Sequence, residues 1–151
     1  MLTRYIAPRP NLEDAAPSCA YGAALLPFER EAKNELGRFF LAAKELHAKE
    51  NKLAFMPVCF IDTVWHRTLA DRTTFDAWTI NLVDEKVEHV PNPGEGVLSW
   101  VPTYERLFGP LPQIWFANPQ GIVDHLAYDR YRRTGNIYAS WQCAVGHMNV
   151  G

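Results

Sequence analysis

Asp62 and His66 stand four residues apart in the segment 56–69, MPVCFIDTVWHRTL, with Trp65 beside them. On a helix, positions i and i+4 lie one turn apart on the same face, so a carboxylate and an imidazole at this spacing converge on one point. The rest of the segment is largely apolar, and polar groups on a buried helix are costly unless each finds a partner. The pair is therefore a candidate for metal ligation, for acid–base work, or for a structural hydrogen bond inside a core. A third group can join it. His89 follows a predicted helix end and precedes Val90 and Pro91, a rigid loop able to return it toward the pair. Asp62, His66 and His89 would form a two-histidine, one-carboxylate set of the kind that holds Zn(II) or Fe(II) with positions left for water or substrate. Histidines near their ordinary pKa of about 6.5 also suit proton transfer.

The remaining histidines and the cysteines attract blander readings. His47, among Lys44, Glu45, Lys49 and Glu50, reads as a surface residue complementing a helix C-terminus. His125 neighbours Asp124, but adjacent helical residues point about 100° apart, so the two make no joint site. His147 lies close to the end of the sequence; Cys143 and His147 would share a face only in a helical tail, and Gly146 argues against one. Cys59, flanked by Val58, Phe60 and Ile61, reads as an inert core thiol. With Cys19 these are the three cysteines, and their wide spacing indicates neither a disulfide framework nor a zinc knuckle. No GxSxG, HExxH or GxGxxG occurs, and no Lys-Ser/Thr pair follows the Pro-Gly-Glu-Gly turn at 93–96, which disfavours serine hydrolases and nucleotide-dependent enzymes.

The elements that would position these groups read mainly as helices. Four prolines and glycines make 1–23 an extended arm, followed by a single domain over 24–151. A long amphipathic helix spans roughly 27–51, with Phe28, Ala32, Leu36, Phe39, Phe40, Ala43 and Leu46 at spacings of three and four. A second, nearly all-apolar helix begins near Pro57 and is central, with Phe60 and Trp65 at its heart. A third opens at Thr73 or Thr74 and runs through Phe75, Trp78, Leu82 and Val83. VEHVPNPGEGV reads as a turn-rich loop. Ser99 caps a fourth helix that stops at Gly109 and Pro110, and LPQIWF is a short connector. Asn118, with Pro119 behind it, caps a fifth helix that stops at Gly135. The tail NIYASWQCAV is a short strand or extended cover. The expected fold is a mainly α, single compact domain of about five helices.

At 151 residues, one domain is the default. Fifteen basic against seventeen acidic residues give a net charge of −2, which offers no general attraction for nucleic acid. Arg130, Arg132 and Arg133 read as a solvated helix end. No segment has the length and apolarity of a membrane span or a signal peptide, so a cytoplasmic setting is expected.

The stretches PVCFIDTVWHRTLADRTTFDAW, EHVPNPG and YERLFGPLPQIWF together resemble an uncharacterised family, the domains similar to the N-terminal part of glycine-rich-domain-containing proteins. Its pattern is a helix with Asp-x-x-Trp-His-x-His-Leu, a His-Pro loop, and a Tyr…Phe-Gly…Pro…Ile-Trp segment. The matches fall on Asp62, Trp65, His66, Leu69, His89, Tyr104, Phe108, Gly109 and Trp115, over about half the chain. Thr68 stands where the family pattern has its second histidine. The resemblance implies a helical fold and a focus at His66, and no reaction.

Two functions follow from these readings. One is an enzyme for a small-molecule substrate, at a pocket around Asp62, His66 and His89 walled by Trp65, Trp78, Trp100 and Trp115, with Zn or Fe(II) bound or with protons moved directly. The other is a protein-interaction module in which the aromatics and the first helix dock a protein partner and the Asp/His pair is structural.

Overall fold

Phe28, Ala32, Leu36, Phe39, Phe40, Ala43 and Leu46, the predicted apolar stripe of the first helix, are all buried. They lie on α1 (Ala20–Glu50), which begins before Pro27 and carries the core along its length. The computed structural model describes residues 20–149, with side chains from 28 to 147. Most of the predicted N-terminal arm, 1–19, lies outside the described residues, and 20–23 are the first turn of α1. After α1 come β1 (Phe55–Pro57), α2 (Phe60–Thr68), α3 (Arg72–Val83), β2 (Glu85–Val97), α4 (Val101–Phe108), a 3₁₀ turn (Gln113–Phe116), α5 (His125–Thr134) and β3 (Tyr138–Asn149). No helix among the described residues is long and apolar enough to cross a membrane.

The fold is mixed α/β, not mainly α: among the described residues five α-helices pack with a three-stranded antiparallel sheet in the order β1-β3-β2. Two segments account for the correction. The turn-rich loop VEHVPNPGEGV makes up all but the first two residues of a thirteen-residue strand, β2. Its prolines are tolerated because β2 is an edge strand, where a missing N–H costs no ladder bond on the open side. One extra residue between Pro91 and Gly94 makes a bulge that absorbs the rest of the irregularity. The predicted cover at the C-terminus is β3, the central strand, paired to β2 from Tyr138 to Asn149 and to β1 around Cys143. Its alternation was legible, but its partners are more than 40 residues away in sequence for β2 and about 85 for β1, as the pairs Val97–Tyr138 and Met56–Cys143 show.

Helix boundaries follow their caps. Asp71 accepts from the Thr74 N–H and starts α3 earlier than Thr73. Trp100, without a side-chain cap, precedes α4 in place of Ser99. Asn118 caps no helix: its side chain accepts from the N–H groups of Gln120 and Ile122 and closes a turn, and Asp124 caps α5 instead. Gly135, at φ 78°, ends α5 as predicted. The second helix starts at Phe60, because Pro57 belongs to β1 and the Phe60 N–H is held by the Ala117 carbonyl at 2.9 Å.

Candidate metal centre

The chain α2 contributes is short and two-faced. Phe60, Ile61, Val64 and Trp65 are buried and hold it on the core, with Phe40 packed edge-on against Trp65 at 5.3 Å. The opposite side carries Asp62 and His66, whose Oδ1 and Nε2 atoms stand 3.5 Å apart, as the i, i+4 spacing predicts. An ion pair between Arg67 and Glu29 ties this turn of α2 to α1.

The sheet supplies the rest. Strand alternation turns His89 of β2 and Cys143 and Val145 of β3 toward α2; His89 pairs with Val145 and Pro91 with Cys143. Gly146 keeps the strands in this register: a Cβ there would meet Val90 Cγ2 at 2.6 Å and Glu88 Cβ at 2.9 Å. The His66 and His89 rings meet at 4.5 Å, and Trp65 packs edge-on against His89 at 4.7 Å. The Cys143 thiol donates to Asp62 Oδ1 at 3.4 Å. One ligand atom each from Asp62, His66, His89 and Cys143 all fall within 4.8 Å of one another, so the cluster has the composition and proximity to hold a metal ion.

Burial grades across the cluster. Cys143 is 1% exposed, while the side chains of Asp62 and His66 are 15% and 54% exposed. Burial raises the Asp62 carboxyl above its ordinary value, with the charge of His66 pulling partly the other way. Burial likewise raises the Cys143 thiol, and the Asp62 carboxylate beside it adds to the effect. His89 is lowered, chiefly by burial and then by His66. Its Nε2 is buried and has no hydrogen-bond partner among the described residues. A buried imidazole nitrogen without a described partner, on a residue grouped with a carboxylate, a second imidazole and a thiol, fits a ligand set that a cation would complete.

Of the predicted residues, Asp62, His66 and His89 therefore come together and Trp65 borders them. Trp78, Trp100 and Trp115 do not wall the cluster. Trp100 and Trp115 fill the core against Phe39, with their N–H groups donating to the Phe55 carbonyl and to Glu35. Trp78 is half-buried under Lys33 on the far side of Phe40. These rings are spent on packing, the larger demand in a domain of this size. Cys59 is an inert core thiol, 3% exposed and pushed up to about 12 by burial.

The sequence reading missed Cys143. Its signal was the alternation of Cys143, Val145 and His147 on one strand face, visible only once the tail is taken as a strand. His147 is also ordered into the sheet, its Nδ1 3.3 Å from Glu85 and its ring stacked on His47 at 4.3 Å, so His47 is no plain surface residue. No family model, curated protein or solved structure matches the chain. What the centre can do follows from its donors and their surroundings.

Proposed function

We propose that the chain binds a divalent transition metal, zinc in first place, at Asp62, His66, His89 and Cys143, and uses it as an enzyme acting on a small molecule. The carrying observation is the convergence of one donor atom from each of four residues within 4.8 Å, in a cluster whose His89 has a buried Nε2 with no hydrogen-bond partner among the described residues. A thiolate and two imidazoles are poor ligands for Mg²⁺ or Ca²⁺ and good ones for Zn²⁺. The two-histidine, one-carboxylate subset alone would serve Fe(II) equally; the sulfur moves the choice to zinc. Tetrahedral zinc with ligands at about 2.0–2.3 Å spaces its donors by roughly 3.3–3.8 Å, so donors that all lie within 4.8 Å of one another have to close by at most roughly 1–1.5 Å. The resemblance drawn from the Asp62–His66 helix belongs to this proposal and adds a focus at His66.

A second reading rests on the donor count. Four protein ligands fill a tetrahedral shell, as structural zinc sites do, and the ion would then only staple α2 to the sheet. Dialysis of tag-free protein against zinc, followed by elemental analysis, tests the common ground. One equivalent is expected for the natural chain and a small fraction of that for His89→Ala and Cys143→Ala. Metal-free protein under saturating zinc would remove both readings.

A further inference from the structure

The four donors are not equivalent, and their differences separate an open centre from a closed one. Asp62, His89 and Cys143 belong to a partly to fully buried base, held by a helix that is packed on the core and by two strands whose register is fixed along twelve residues of β3. His66 alone is an exposed ligand, with 54% of its side chain open to solvent, in the last turn of α2. Its described contacts are the edge of the His89 ring and Asp62 Oδ1, both members of the cluster, so no described residue outside the centre fixes its rotamer.

We infer that His66 is a displaceable ligand: the buried trio Asp62, His89 and Cys143 retains the metal, and a small donor from solvent takes the position His66 leaves. This rests on the metal-binding reading above and specifies how that site admits its substrate. The charges define the class of donor. Two anionic ligands, Asp62 and Cys143, already neutralise a divalent ion. The cations beside the centre are already paired among the described residues, Arg72 with Asp76 at 2.9 Å and Glu88 at 3.4 Å and Arg67 with Glu29, which leaves them poorly placed to recruit a polyanion. A neutral or singly charged donor no bulkier than the imidazole it replaces fits the site; nucleotides and polyphosphates do not.

Cobalt(II) substitution tests this on the full chain, because a thiolate–cobalt charge-transfer band reports Cys143 while the ligand-field bands report the fourth position. The natural protein with one cobalt is expected to change its ligand-field bands on adding azide while keeping the charge-transfer band. His66→Ala is expected to hold one cobalt with affinity reduced by no more than about 100-fold, a loss of the size seen on removing groups outside the coordination shell. Added imidazole should return its spectrum toward that of the natural protein. His66→Gln, with circular dichroism as a check on folding, repeats the measurement in case the alanine variant misfolds. Bands indifferent to azide, or loss of cobalt from both folded His66 variants, would overturn the displaceable ligand and leave a closed zinc site. Failure of the natural protein to take up cobalt or zinc at all would instead remove the metal-binding reading beneath it.

Discussion

Glu35 and Asp62 are both carboxylates on helices packed against the core, and their surroundings treat them differently. Glu35, 5% exposed on α1, accepts from the Tyr104 hydroxyl at 2.5 Å and the Trp115 indole at 2.9 Å, with Arg38 at 3.4 Å. Its donors come from α4 and the 3₁₀ turn, so one carboxylate joins three elements and every bond is made within the chain. Tyr104 is correspondingly raised, first by burial and then by Glu35, and stays protonated as a donor. Asp62 meets a weak thiol donor and an exposed imidazole, its carboxyl is raised by burial, and the buried Nε2 of His89 in the same cluster has no partner among the described residues. One carboxylate has its bonds completed inside the chain and joins elements of the fold, whereas the other stands in a cluster of donors that could hold a metal ion.

The largest effect should come from breaking the completed cluster. Glu35→Ala leaves the Tyr104 and Trp115 donors buried without an acceptor, and a loss of roughly 3–5 kcal/mol is expected in urea unfolding. A loss under about 1 kcal/mol would mean that the Glu35 network is incidental and the contrast with Asp62 empty.

A pH effect sharpens the contrast at the other end of the same sheet face. His147 is held below its ordinary 6.5 mainly by burial, with Glu85 opposing this and His47 and Lys44 adding to it. A histidine depressed in the folded state contributes stability that is complete above the unfolded value and is lost as the pH falls below it. Metal-free protein should therefore lose stability more steeply than His147→Gln on going from about pH 7 to pH 5. Parallel curves for the two proteins would contradict this.

The smallest effects belong to the incomplete cluster without metal. Asp62→Asn removes a carboxylate that burial disfavours, and stability should stay within about 1 kcal/mol of the natural chain. His66→Ala, at an exposed position, should move the melting temperature hardly at all, by less than about 0.5 kcal/mol in free energy. A clear drop for each, restored in the double variant, would make the pair a structural hydrogen bond.

How far the sequence revealed this contrast depends on the range of the interactions. The α1 stripe, the core position of Trp65 and the facing of Asp62 and His66 are local consequences of a 3.6-residue period, and they were legible. His89 came into the candidate site for a partly wrong reason: it returns to α2 on a strand, not on a loop. The edge position that makes Pro91 and Pro93 acceptable in β2 is a property of the sheet order, which no local pattern encodes. Cys143 and the Glu35 network are pairings across 81 and up to 80 residues, so spacing carried no trace of the Glu35 network and showed Cys143 only through the alternation of a tail whose strand partners lie far away in sequence.

If four side chains from one helix and two strands form a single metal centre, X-ray absorption at the zinc edge of the loaded, tag-free protein reads that shell directly. One sulfur scatterer is expected at about 2.3 Å, with nitrogen and oxygen at about 2.0–2.2 Å and the outer-shell signature of two imidazoles. A shell without sulfur, or six light scatterers of the kind adventitious surface zinc shows, would contradict it.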